Sequence, residues 1–220
     1  MTATLIDTAA PARPVVHRRG LLGGLLPRSA YLLTGFPLAT VAFVLLVPGV
    51  ALAAGTLVIT VGVAVAALTL AIATGFARLE RTRVDAVLGR RLPRPAYRPL
   101  RPGFVGTVLS AGADPRRWLD LVHGIVAFPV ATATFSLVVG WWAGALGGVT
   151  YGLWEWALPR DNPDNTTLAE LIGLGDSRAA DIMLTSGIGL TMLVTLPLVV
   201  AGCAAVQTGL ARALLGGWED

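Results

Sequence analysis

The sequence predicts an all-α, polytopic membrane protein with four transmembrane helices arranged as two parallel-related hairpins, a 2+2 repeat. Three observations predict it: long stretches without charge, arginines gathered between those stretches, and a short motif that occurs twice. Of the 220 residues, 55% are hydrophobic and only 14% are charged, with a mean hydropathy of +0.71. Soluble domains carry about 25% charged residues. Charge is absent from Ser29 to Ala77, from Leu121 to Trp154 and from Ile182 to Ala211, runs of 49, 34 and 30 residues. Each exceeds the ~20 apolar residues that cross a bilayer core. A soluble fold is excluded.

Residues 1–28 form a basic tail with Arg13, Arg18, Arg19 and Arg28. The first uncharged run is too long for one helix, and Pro48-Gly49 with Gly55 beyond marks its interruption. Span one is therefore placed at about 30–52 and span two at about 56–77, with 76–89 continuing as a helix past the membrane. The loop 78–118 carries ten arginines, and its prolines between 92 and 102 favour polyproline II or irregular chain. Span three follows at about 119–143. The segment 144–181 is acidic, and within it Asn165 or Thr166 is expected to cap a short helix at about 167–172, closed by Gly173 and Gly175. Span four is placed at about 182–207, which makes 29–218 one four-helix module.

Orientation follows from the basic residues, because those near span ends are retained in the cytoplasm. All seventeen are arginine, and only Arg160 and Arg178 fall in the segment between spans three and four. Both termini and the loop 78–118 are thus expected inside, at the cell membrane, and 144–181 outside. His17-Arg18-Arg19, the apolar stretch and Ala51-Leu52-Ala53 also mimic a secretory signal. The stretch is longer than the usual ~7–15 residues of such a signal, and the duplicated motif argues that span one stays.

That motif is Phe36-Pro37-Leu38-Ala39-Thr40-Val41-Ala42-Phe43-Val44-Leu45-Leu46-Val47. It aligns without gaps on Phe128–Val139 with seven of twelve positions identical. Spans two and four end alike, in Thr74-Gly75-Phe76-Ala77-Arg78 and Thr208-Gly209-Leu210-Ala211-Arg212. Spans one and three then both run outward, and spans two and four both run inward. Pro37, Pro129 and Pro197 each free a backbone carbonyl inside a span, as a hinge or as a packing irregularity. Arg78 and Arg212 fall at equivalent depths and are expected to anchor their helices at the inner headgroups.

Three further clusters carry candidate chemistry. Asp120 and His123 are spaced i, i+3 on one helix face near the inner end of span three. They read as a proton sensor, as half a metal site, or as an interfacial ion pair of Asp120 with Arg116 and Arg117. Gly140, Gly144, Gly148 and Gly152 recur every four residues, a strip that lets membrane helices approach closely or seams a homodimer. Trp and Tyr residues crowd around it, so span three is expected to emerge near 143 and continue as an interfacial or re-entrant helix. The arginine-rich loop suits anionic lipid headgroups or a docking partner, and with only Tyr97 for stacking it does not suit nucleic acid. Cys203 lies in the last apolar run as a small packing residue, and no catalytic cluster, metal site or cofactor motif is expected.

Three segments resemble a known family: Tyr31-Leu32-Leu33-Thr34-Gly35-Phe36-Pro37-Leu38, then Glu80-Arg81-Thr82-Arg83 through Leu88-Gly89, then Asp114-Pro115-Arg116-Arg117-Trp118-Leu119-Asp120-Leu121. Together they are similar to the sensor domain of actinobacterial sensor histidine kinases, a four-helix membrane module usually found upstream of a phosphoacceptor helix pair and an ATPase domain. His123 stands where that family would carry an aromatic. About a dozen residues follow span four without a phosphoacceptor segment or nucleotide-binding boxes, so a free-standing or separated sensor module is expected. The resemblance implies a non-catalytic sensory input, with the bilayer and a cytoplasmic kinase or other signalling protein as partners. The alternative is a small membrane transporter or channel subunit, for which the spans offer only Thr and Ser at mid-depth.

Overall fold

The computed structural model describes residues 20–57, 61–89, 93–158, 167–173 and 177–216. Four of its helices are long and apolar enough to cross a membrane: α1 (Leu25–Gly55), α2 (Val61–Leu88), α4 (Pro115–Val149) and α7 (Arg178–Leu215). Their most apolar windows have mean hydropathies of 1.8 to 2.3, yet only 22% to 33% of each window is buried inside the protein. Apolar side chains that face outward at this density need lipid, not water, as their solvent. The described residues also form three short α-helices, α3 (Phe104–Gly112), α5 (Tyr151–Trp154) and α6 (Leu168–Leu171), and a 3-10 turn at Glu155–Ala157, and there is no strand among them.

α1, α4 and α7 outrun at both ends the spans placed from sequence, because backbone hydrogen bonding continues past the end of an apolar run, whereas α2 starts later than placed, at Val61, and runs to Leu88 as its expected extension does. Pro37 and Pro48 lie inside α1, Pro129 inside α4 and Pro197 inside α7, and each helix continues through them. Pro37 and Pro129 face outward. In both copies of the repeated motif a threonine hydroxyl donates back to the Phe carbonyl four residues earlier, Thr40 to Phe36 and Thr132 to Phe128, each at 2.8 Å.

α1 and α2 form a tight hairpin whose turn needs Gly62, since a Cβ there would sit 2.5 Å from the Thr56 backbone. α4 and α7 form the second hairpin. Gly148 meets Gly189 so closely that a Cβ on it would lie 2.6 Å from the Gly189 Cα, and Gly144 makes room for Met192. Trp141 Nε1 donates to Thr195 Oγ1 at 3.0 Å, and Glu155 pairs with Arg178 at the far end. α4 runs unbroken to Val149, past the expected end of span three near 143, and its glycines contact α7 in these last turns. Gly144 and Gly148 face their own chain's α7, so these two are not open to a second copy.

Between the hairpins, Phe36 stacks on Phe135 with ring centroids 4.6 Å apart, and Phe43 stacks on Phe128 at 4.5 Å. The first phenylalanine of each repeat meets the second of the other, the reciprocal pattern of an isologous contact. Leu46 fills the space over Gly124 in the same sense, and Trp142 Nε1 donates to Ser29 Oγ at 3.2 Å. Residue numbers rise along α1 as they fall along α4, so the two helices cross with opposed sense over this contact. Here the contacts depart from hairpins set side by side in parallel. Apolar complementarity between the two motif faces, which a linear alignment does not report, sets the crossing.

α6 is capped by Thr167, whose hydroxyl accepts from Glu170 N at 3.3 Å, and Gly173 follows with φ +81°. Asn165, Thr166 and Gly175, like the tail residues 1–19, lie outside the described residues. α3 was not expected: nine mostly apolar residues fold as a helix inside the arginine-rich loop.

Candidate functional site

The ends of α2 and α7 meet the start of α4, and the second turn of α1 joins them. The three family-like segments converge there. Asp114 caps α4 by accepting from Arg116 N at 3.0 Å, with Pro115 at the first helical position where its missing N–H costs nothing. The other carboxylate oxygen of Asp114 accepts from Arg98 N at 3.1 Å, and Trp118 Nε1 donates to Gly112 O at 2.9 Å. One short motif therefore fixes both the start of α4 and the loop that approaches it.

Arg81 lies at the centre. It follows Thr74 and Ala77 and precedes Val84 on the buried stripe of α2. Its Nη2 donates to Asp120 Oδ1 at 2.8 Å and its Nε donates to the Leu215 carbonyl at 3.2 Å. Tyr97 Oη donates to the other oxygen of Asp120 at 2.8 Å. The Tyr97 ring is faced by the guanidinium carbons of Arg117, Arg81 and Arg78, at 5.6, 5.8 and 6.0 Å. Arg116 reaches the Gly216 carbonyl at 3.4 Å. α2, the loop, α4 and α7 are thus held by one knot of charge-assisted bonds, the stronger kind.

A second cluster lies beside it. Tyr31 Oη donates to Glu80 at 2.6 Å, and Arg83 pairs with the other oxygen of Glu80. Arg83 Nη2 also donates to the Tyr31 carbonyl at 2.7 Å and to Thr34 Oγ1 at 3.1 Å, with its guanidinium 4.8 Å from the Tyr31 ring centre. Gly35 permits this approach: a Cβ there would lie 3.2 Å from Gln207 Oε1 and 3.3 Å from Arg83 Nη2. Gln207 in turn donates to Thr134 Oγ1 at 2.6 Å. Glu80, Arg83, His123 and Gln207 border a cavity of about 40 Å³, room for a water or two.

The expected pairings of Asp120 are corrected. It is buried, and its partners are Arg81 and Tyr97, not Arg116, Arg117 or His123. Arg117 instead approaches Asp114 at 3.6 Å. His123 is buried and turned toward the cavity. Among the described residues no group of three or more His, Cys, Asp and Glu is placed to hold a metal. Arg78 is exposed well inside α2, nearly three turns before Leu88, Arg212 is exposed in the last turn of α7, and Pro197 is half-buried. Sequence reasoning quoted Glu80, Arg81, Arg83 and Tyr97 without a partner for any of them, and it passed over Gln207. For Arg81 a signal existed, its place on the buried stripe of α2.

Tyr97 lies outside the spans, and burial, then its bond to Asp120, push its pKa up to about 12 from 10.0. The proton that Asp120 needs is therefore present throughout the neutral range. The sign follows: the stabilisation is whole below the unfolded value near 10 and is lost as pH rises through about 12. Tyr97→Phe should cost about 1.5 kcal/mol at pH 7 in detergent unfolding, and should flatten the alkaline loss of stability. An unchanged alkaline limb would remove Tyr97 from the knot.

Four apolar helices, with a knot of arginine ion pairs at one end and the Glu155–Arg178 pair at the other, define a helical membrane module. Residues 31–215 match the family model described as "Putative sensor", and the chain belongs to that family. The match begins at Tyr31 and ends at Leu215, both members of the clusters just described. No match was found among curated proteins or among solved structures.

Proposed function

We propose that the chain is a membrane-embedded sensory input module that passes a stimulus to a cytoplasmic partner such as a histidine kinase, without catalysis of its own. The observation that carries this reading is Arg81, which ties α2 to Asp120 of α4, to the Leu215 carbonyl of α7 and, through Asp120, to Tyr97 of the loop. A shift of α2, α4 or α7 against the other two has to stretch or exchange these bonds, and a stimulus need supply only the free-energy difference between the two arrangements. Family membership supports the sensory role.

The test is a reporter strain in which a kinase is fused after Asp220. Arg81→Leu and Arg212→Leu should shift basal or stimulated output while the protein still inserts. Unaltered output from both, with normal insertion, would sink the reading.

In this reading the loop 78–118 is cytoplasmic, as its ten arginines favour. With Cys203, itself buried, replaced by Ala, a cysteine at Leu171 should label in intact cells and one at Ala96 only after permeabilisation. Labelling of Ala96→Cys from outside would reverse the topology.

A further inference from the structure

Beside the knot opens a pocket of about 400 Å³ whose lining includes Arg78, Arg81, Thr82, Asp85, Arg94 and Tyr97. That volume falls within the ~300–1,000 Å³ typical of ligand sites. Arg81 already has Asp120 as its counter-charge. Arg78 and Arg94 are exposed, and no carboxylate among the described residues pairs with either. Even with Asp85 set against them, the mouth keeps a positive surplus. Guanidinium groups bind phosphate oxygens in a planar, two-pronged geometry.

Depth narrows the ligand further. The uncharged run ends at Ala77, so Arg78 is the first charge that α2 meets on leaving the bilayer core, at the level where lipids present their phosphates. Thr82 adds a hydroxyl one turn on, and the Tyr97 ring forms a wall.

We propose that this pocket binds a phosphate group, carried by an anionic lipid headgroup or free in solution, through Arg78 and Arg94. Because Tyr97 is both its wall and the donor to Asp120, occupancy bears directly on the knot. The site stands apart from the signalling reading: a chain that bound phosphate and transmitted nothing would retain it.

The experiment uses the full chain in detergent micelles, with thermal unfolding followed against added short-chain phosphatidylglycerol, short-chain phosphatidylcholine or inorganic phosphate. Phosphatidylglycerol should raise the midpoint where phosphatidylcholine does not. Arg94→Gln alone, in irregular chain, should weaken the apparent affinity about tenfold, and Arg78→Gln with Arg94→Gln about a hundredfold, at one charge-assisted bond per decade. Arg101→Gln, a loop arginine outside the pocket, should change it less than about twofold. Stabilisation by inorganic phosphate as well identifies a free-phosphate site, and stabilisation by phosphatidylglycerol alone identifies a headgroup site. Equal loss in Arg101→Gln and Arg94→Gln would show general attraction to the arginine-rich loop and overturn the proposal. So would a natural chain that neither anion stabilises.

Discussion

Gly148→Leu should prevent the α4–α7 pair from closing, and Gly148→Ala should already be costly. A methyl group at Gly148 would sit 2.6 Å from the Gly189 Cα and 3.0 Å from the Thr185 carbonyl oxygen, both backbone atoms that no rotamer change can move. The helices must separate, which undoes the nearby contacts of Gly144 with Met192 and of Trp141 with Thr195. Overpacking of this kind costs about 1–3 kcal/mol for one added carbon, and leucine adds three more. Gly140→Ala is the matched control, since nothing lies within 4 Å of a Cβ there. Thermal unfolding in detergent and size-exclusion profiles measure both. A Gly148→Leu protein as stable as the natural chain would show that the close approach is not what holds the pair.

Asp120→Ala is expected to be the most damaging change at the arginine-rich end. It leaves the buried Arg81 guanidinium with only the Leu215 carbonyl, and strips Tyr97 of its acceptor. Breaking a buried ion pair from one side costs about 3–5 kcal/mol, because the surviving charge is uncompensated. Arg81→Met together with Asp120→Leu should recover much of that loss, since neither charge then remains buried. Unfolding midpoints of the two single variants and the double variant form the cycle that measures the coupling. If the double variant is as unstable as the sum of the singles, Arg81 and Asp120 do not act as a pair.

The four long helices were legible because each depends on a property summed over twenty residues, and the uncharged runs state it plainly. Gly144 and Gly148 were legible as contact positions for a similar reason, as spacing alone puts them on one face. Their partner was not, because nothing local links Gly148 to Gly189. The same holds for Asp120. Its neighbours in sequence are Arg116, Arg117 and His123, whereas its ion-pair partner lies thirty-nine positions away on α2. A pairing across helices depends on crossing geometry, and that depends on apolar faces such as Phe36 on Phe135. α3 escaped notice because a run of nine residues in a proline-rich, basic loop gives periodicity little to work with.

Arg81 is a cation with both an edge and a face. Its edge donates in two directions, to the Asp120 carboxylate and to the last carbonyl of α7, while its guanidinium carbon lies 5.8 Å from the centre of the Tyr97 ring. An ammonium ion is a point charge without that division, so a lysine at this position would have to choose among the three. A chain whose seventeen basic residues are all arginine looks, as a composition, like the mark of a GC-rich genome. At position 81 the same letter is a stereochemical requirement. Exchanging Arg for Lys should therefore be disruptive at Arg81 and silent at an exposed loop position such as Arg101, although both exchanges conserve charge.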